Sequence, residues 1–260
     1  MLKFYKYQGA GNDFILFDNR EHVFPLIDRE NKIKFLCDRR FGIGADGVML
    51  LEISASADFK MLYFNSDGKE GSMCGNGGRC IVSFANDIGL IGHKTNFIAV
   101  DGMHEAYYHS PDNIELGMSN VEKIKLGQDF AVLNTGSPHY VKFVPDLHNV
   151  DVYKEGKFIR NLPEYKDEGI NVNFVEKSGN QLQVYTYERG VEDETLACGT
   201  GVTAAVIAMN EHKDQLIENT VEVKVKGGQL KVRFRKEAEM YKDIWLIGPG
   251  KKVFEGFVEL

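Results

Sequence analysis

The chain has 260 residues, 43% of them hydrophobic and 27% charged, with a net charge of −7. These proportions are those of an ordinary globular chain, long enough for one large domain or two of ordinary size. The acidic balance argues against nucleic acid or an anionic membrane as partner. No apolar stretch approaches the ~18 residues of a membrane span. Met1 to Phe14 lacks the apolar centre of a signal peptide, so the expected setting is cytoplasmic, with the four cysteines reduced.

Short stretches rich in aromatic and β-branched residues, bounded by Gly, Asn and Asp, read as strands. In chain order they are Leu2–Tyr7, Asp13–Asp18, Val48–Ile53, Phe59–Phe64, Phe97–Val100, Glu105–Tyr108 and Asn113–Leu116. There follow Ala131–Asn134, Tyr140–Phe143, Val172–Glu176, Gln181–Tyr187, Thr220–Val225, Gln229–Phe234 and Ile244–Ile247. Helices are expected over Arg29–Cys37, Gly78–Ile88 and Val202–Lys213. Val202 to Met209 is apolar almost all round, the pattern of a helix buried on most sides, as inside a curled sheet. The expected division is 1–117 and 118–248, with 249–260 returning to the first half.

One motif occurs twice. Ser72-Met73-Cys74-Gly75-Asn76-Gly77 and Leu196-Ala197-Cys198-Gly199-Thr200-Gly201 each open onto a helix-like segment. Sliding the chain against itself by 124 residues also superposes Val82 on Val206, Asn86 on Asn210, Tyr63 on Tyr187 and Glu70 on Glu194. Asn65 then falls on Arg189, so each copy carries a polar strand-end residue nine positions before its cysteine. Such a period is too long for a solenoid and fits two domain-sized halves. A cysteine at a helix start is a candidate thiolate, and the N–H groups beside it are a candidate anion site. Cys37 and Cys80 read as core residues. No Cys-x-x-Cys spacing occurs, which argues against a structural metal or a dithiol redox motif.

Other motifs have plainer readings. Gly42-Ile43-Gly44-Ala45-Asp46-Gly47 fits the dinucleotide glycine pattern, but a helix precedes it and a strand follows, the reverse of what that fingerprint needs. It reads as a turn. Gly9 to Phe14, Asn65, Ser137 and Asn171 are each explicable as turn chemistry. His139 bears on function only if it lies near a cysteine. Glu188-Arg189 is either a surface ion pair of little worth or a guanidinium for a substrate carboxylate beside a carboxylate for a substrate ammonium; the repeat favours the second.

Taken together, Gly11 to Phe14, Arg39 to Asp46, Phe64 to Gly68, Cys74 to Arg79, Gly136 to His139, Asn171 to Asn173, Tyr187 to Gly190 and Ala197 to Gly201 resemble the diaminopimelate epimerase family over essentially the whole chain. Asn76 separates this pattern from that of proline racemases. The resemblance implies an α+β fold of two similar domains in a pseudo-twofold relation, each a curled, mostly antiparallel sheet around a central helix, with the active site in the cleft between them. It implies no cofactor, no metal and a homodimer. The implied reaction interconverts LL- and meso-2,6-diaminopimelate, with Cys74 and Cys198 catalytic, in lysine and peptidoglycan precursor synthesis. Asn12, Asn65, Asn171, Glu188 and Arg189 would bind substrate. Gly75, Asn76, Gly199 and Thr200 would clamp its carboxylate, and His139 and Glu188 would tune the thiols. Two positions depart from the pattern: Gly47 stands where some members have a substrate-touching Gln, and Ser137 where many have an Asn. A proline or hydroxyproline racemase, a dithiol redox protein and a non-catalytic amino-acid-binding protein are the alternatives.

Overall fold

The computed structural model describes residues 1–71, 73–212 and 219–260. Ser72 of the first cysteine motif and Lys213 at the expected end of the third helix lie outside the described residues. The chain divides into two compact units, Met1–Leu116 with Gly248–Leu260, and Gly117–Ile247.

The first unit opens with a hairpin of β1 (Leu2–Gly9) and β2 (Asn12–Asp18). Its two-residue loop is Ala10 and Gly11, both with positive φ, the geometry that matches the twist of paired strands. Helix α1 (Arg29–Cys37) carries the chain back to β3 (Gly47–Glu52), parallel to β2, and β4 (Phe59–Asn65) returns antiparallel to it. The turn before β3 needs its glycines. Gly44 has φ +81°, and a Cβ on Gly42 would lie 1.8 Å from the Phe35 carbonyl oxygen. Helix α2 (Gly75–Asp87) then leads to β5 (Lys94–Ala99), parallel to β4, with β6 (Gly102–Ser110) and β7 (Asn113–Gly117) following antiparallel.

The second unit repeats that order. After β8 (Ile124–Leu126), strands β9 (Phe130–Asn134) and β10 (Pro138–Phe143) form a hairpin. Helix α3 (Val152–Arg160) connects to β11 (Asn171–Ser178), parallel to β10, and β12 (Gln181–Glu188) returns antiparallel. A short β13 (Asp193–Thr195) precedes α4 (Gly199–Glu211). Strand β14 (Thr220–Val225) is parallel to β12, and β15 (Gly228–Glu237) and β16 (Met240–Gly248) follow antiparallel. Strand β17 (Lys251–Val258) pairs antiparallel with β1, from Leu2 opposite Val258 to Gln8 opposite Lys251.

Each unit is thus a mostly antiparallel sheet around one central helix. Every α2 residue from Gly75 to Ala85 is buried, against β1, β2, β3, β6 and β17. In α4, Gly201 to Met209 is buried throughout, against β9 to β12 and β15. Full burial of each Val or Ile there contributes about 1.5–3 kcal/mol, enough to outweigh the poor helix propensity of glycine-rich first turns. The α2 helix stops at Gly89, whose φ of +72° closes a Schellman cap with Leu90 N–H on Ala85 O.

Both central helices start three residues earlier than the sequence predicts, at Gly75 and Gly199 rather than Gly78 and Val202. Helix α3 is absent from the expected elements. The structure shows why glycine stands at its centre: a Cβ on Gly156 would lie 2.4 Å from Tyr187 Cβ, so the helix rests directly on β12. The N-terminal cap is Asp151, whose side chain accepts from the Lys154 N–H. Gly156→Ala gains helix propensity but overpacks this contact, and is expected to lower stability by about 1–3 kcal/mol. A thermal midpoint equal to or above that of the parent would contradict the close packing.

Candidate active site

Cys74 and Cys198 are the N-cap residues of α2 and α4. Their backbones nearly coincide, with φ/ψ of −106°/124° and −114°/110°. The first intrahelical bonds run from Gly78 N–H to Cys74 O at 2.7 Å and from Val202 N–H to Cys198 O at 2.9 Å. The N–H groups of the three intervening residues in each case precede the helical ladder and sit at the positive end of the helix. The second glycine of each motif allows close packing. A Cβ on Gly77 would lie 2.3 Å from Met49 Cε, and one on Gly201 2.3 Å from Asn173 Oδ1. Cys74 is half-buried and Cys198 buried, as are Cys37 and Cys80. Burial pushes the Cys37 thiol up to about 12 and the Cys80 thiol higher still, so both are inert core groups.

In the first unit a directional chain of hydrogen bonds leads away from the α2 start. Arg79 Nη2 donates to Asn76 Oδ1 at 2.7 Å, so the Asn76 amide must turn its nitrogen outward, and that nitrogen donates to Asn12 Oδ1 at 2.6 Å. The Asn12 amide donates in turn to Asp46 Oδ2 at 3.0 Å. Arg39 bridges Asp46 and Asp13, and Lys6 reaches Asp13 at 2.8 Å. Burial pushes the Asp13 carboxyl up, but hydrogen bonds from Arg39 and Lys6 outweigh it and hold the group below its usual range. Asn65 ends β4, exposed, in register with Gly47. A Cβ on Gly47 would lie 2.5 Å from the Tyr63 ring, and one on Gly71 2.7 Å from the other side of that ring. Tyr63 therefore fills the space that a side chain at position 47 would take.

In the second unit Ser137, Asn171 and Arg189 form one cluster. The Asn171 amide donates to Ser137 Oγ at 2.9 Å, and the Arg189 N–H donates to Asn171 Oδ1 at 2.9 Å. The Arg189 guanidinium donates to Glu168 O at 3.0 Å and Ser137 Oγ at 3.4 Å. Both of these acceptors are neutral. Glu188 ends β12 beside it, half-buried.

His139 is fully buried, with Nδ1 3.0 Å from the Asn173 amide nitrogen. That nitrogen can only donate, so Nδ1 accepts and the proton sits on Nε2, which has no hydrogen-bond partner among the described residues. Burial, and secondarily the Arg189 charge, push its pKa down to about 3, so the ring is neutral. Asn173 also accepts from Thr186 Oγ1 at 2.9 Å, and its Oδ1 abuts the α4 start at Gly201. Thr135 donates to Thr200 O at 2.8 Å.

The candidates Asn12 and Asn76 are brought together with Cys74, and Ser137, Asn171 and Arg189 with one another. Asp46, Arg39, Tyr63, Arg79, Thr135 and Asn173 were not given a site role by sequence reasoning. Arg39, Asp46, Arg79 and Asn173 lie within the motifs that carry the resemblance, and Tyr63 matches Tyr187 in the self-alignment; Thr135 left no signal. Among the described residues no group of three or more His, Cys, Asp or Glu side chains is placed to hold a metal, and no helix is long and apolar enough to cross a membrane.

The family model for diaminopimelate epimerase matches residues 4–121 and again 131–252. The diaminopimelate epimerase of Flavobacterium psychrophilum is 51% identical over 257 residues, covering 98% of this chain and 99% of the relative. That of Chlorobaculum tepidum is 43% identical over 97% of this chain and 99% of the relative. Among solved structures, a Bacillus anthracis phenazine biosynthesis protein of the PhzF family aligns with TM-score 0.77 at 13% identity, over 100% of this chain and 99% of that one. A probable proline racemase from Agrobacterium radiobacter K84 aligns with TM-score 0.70 at 13% identity, over 100% and 93%. These two share the fold. The tandem family match and the full-length identity go further: the chain belongs to the diaminopimelate epimerase family.

Proposed function

We propose that this protein interconverts LL- and meso-2,6-diaminopimelate by moving the α-proton between two cysteines, Cys74 and Cys198, in lysine and peptidoglycan precursor synthesis. One observation carries the reading: each buried central helix of a diaminopimelate epimerase family member begins at a cysteine with nearly the same backbone geometry. Inverting an α-carbon requires a base on one face and an acid on the other. A thiolate and a thiol serve, and exchange roles after each turnover. The N–H groups of Gly75, Asn76, Gly199 and Thr200 would hold the α-carboxylate and stabilise the charge that develops as the proton leaves. This supplies base, acid and anion stabilisation from the chain itself, so the reaction needs no cofactor or metal. Cytoplasmic location and a homodimer complete the proposal.

Substrate recognition falls to the residues that differ between the halves. Arg189, whose guanidinium donates to the neutral acceptors Glu168 O and Ser137 Oγ, takes the distal carboxylate, and Glu188 the distal ammonium. Asn12, Asn65 and Asn171 contribute amide contacts. Ser137 orients Asn171 and Arg189 through its hydroxyl. Gly47 offers only backbone, because Tyr63 fills its side-chain space. His139 influences the thiol chemistry as a neutral N–H donor, not as a base or a cation.

Cys74→Ala and Cys198→Ala are each expected to reduce epimerisation by about 10²–10⁴-fold or more, the range of general acid–base contributions. Chiral chromatography of LL-diaminopimelate incubated with either variant checks this, and near-parental turnover in either would refute the two-base scheme. His139 has a separate, thermodynamic signature. Its folded pKa lies below that of the unfolded chain, so below about pH 6.5 the unfolded state binds a proton that the folded state refuses. Stability is therefore lost as pH falls, by about 2 kcal/mol at pH 5 from this residue. Denaturant unfolding at pH 7 and pH 5 should show that difference shrink by this amount in His139→Asn. An unchanged difference would mean that the imidazole is protonated in the fold.

A further inference from the structure

Arg79 sits in the first turns of α2 and is fully buried. Its guanidinium donates to Gly75 O at 3.2 Å, Asn76 Oδ1 at 2.7 Å and Pro249 O at 3.1 Å. All three acceptors are neutral, and no carboxylate pairs with it among the described residues. Burying such a cation costs several kcal/mol unless an anion answers it. The segment Pro249–Gly250 seals it in, since a Cβ on Gly250 would lie 2.6 Å from Arg79 O. The Gly75 carbonyl that it holds belongs to the residue directly after Cys74, and two thiols, Cys80 and Cys74, lie within reach of its charge. Burial keeps Cys80 protonated. Cys74 is half-buried at the positive end of the helix, where a thiolate is favoured.

The charged groups on the elements packed against α2 pair among themselves: Lys3 and Lys252 with Glu255, Asp18 with Arg20, Glu105 with Lys94, His104 with Asp101 and His109 with Glu115, while the Tyr5 and Tyr107 rings lie under Lys3 and Lys94. On β1 and β2, Lys6 pairs with Asp13. Tyr7 of β1 donates to Asp87, and Tyr108 of β6 also lies in the field of Asp87. On β3, Glu52 accepts from Asn19. On β17, Lys251 pairs with Asp112. The second unit supplies the contrast. At the offset of 124 that superposes the cysteines, Arg79 falls on Thr203, whose hydroxyl donates to Gly199 O at 3.0 Å. The matching carbonyl is satisfied in both helices, by a cation in one and a neutral group in the other.

We infer that Arg79 is a positioning residue that acts as the buried counter-charge of the Cys74 thiolate, so that in the resting protein the negative charge is biased to Cys74 rather than Cys198. Arg79 also sets the Asn76 amide and, through it, Asn12. It has no route to the substrate except through these neighbours. The inference deepens the two-cysteine reading and rests on it for its role in turnover, whereas the charge coupling is measurable without substrate.

The test is site-resolved alkylation by iodoacetamide, with mass spectrometry of the Cys74 and Cys198 peptides across pH. Midpoints of the pH profile are compared, because access alone changes rates without moving midpoints. In the parent protein the Cys74 midpoint should lie below that of Cys198. Arg79→Met should raise the Cys74 midpoint by about one unit or more, slowing its alkylation at pH 7 by about tenfold, and leave Cys198 in place. Arg79→Lys, which keeps the charge, should stay near the parent. An unmoved midpoint in folded Arg79→Met, or an equal shift in Arg79→Lys, overturns the inference. So does a parent Cys198 midpoint at or below that of Cys74, a comparison that needs no variant to fold. A shifted midpoint in a protein inactive on diaminopimelate would sink the proposed function and leave the coupling standing. An unmoved midpoint in an active epimerase would do the reverse.

Discussion

A helix that begins inside a protein presents N–H groups that precede its hydrogen-bond ladder, in surroundings where an unanswered donor is costly. Both central helices here begin in this way, each directly after a cysteine. The rest of the architecture follows from housing those starts. The strands wrap each helix so that Gly75 to Ala85 of α2 and Gly201 to Met209 of α4 are buried throughout, while each helix becomes less buried at its C-terminal end. The second glycine of each motif lets a neighbouring side chain, Met49 or Asn173, close onto that turn. An anion is the natural complement of such a site, and a thiolate beside it is the natural base. The proposed proton transfer needs little more than these two elements.

The two halves share a plan and differ in their polar dressing. Around Cys74 the start of α2 is backed by a charged chain of Arg79, Asn76, Asn12, Asp46 and Arg39. At the start of α4 the corresponding hydrogen bonds are made by neutral groups: Thr203, Thr135, Asn173 and an uncharged His139. The exposed guanidinium of Arg189 stands in the slot that Asn65 fills in the first half. Nearly symmetric proton chemistry can thus be combined with recognition of a substrate whose reacting and distal ends must be told apart.

Much of this was legible in the sequence because it is local. Alternation of β-branched and aromatic residues marks most of the strands, and the paired Cys-Gly-x-Gly marks both helix starts. What escaped is what depends on contacts distant along the chain. Helix α3, with glycine at its centre, is missing from the expected elements, and its place is explained by Tyr187 pressed against Gly156. The first turns of α2 and α4 read as loop, since glycine propensity is overridden only by tertiary burial. Arg79 enters the sequence reading only as the end of the first cysteine motif, and nothing local reveals that Pro249, 170 positions away, accepts its hydrogen bond. Gly47 reads as a lost contact until Tyr63 is seen in its space.

The central claim is that two thiols exchange the α-proton of an amino acid with a charged distal end. Its most direct test is incubation in D₂O with diaminopimelate, proline and hydroxyproline in parallel, with no added cofactor, following α-deuterium by NMR. The account predicts solvent deuterium at the α-position of diaminopimelate and none above background in the other two. Exchange into proline or hydroxyproline at a comparable rate, or no exchange into diaminopimelate, would contradict it.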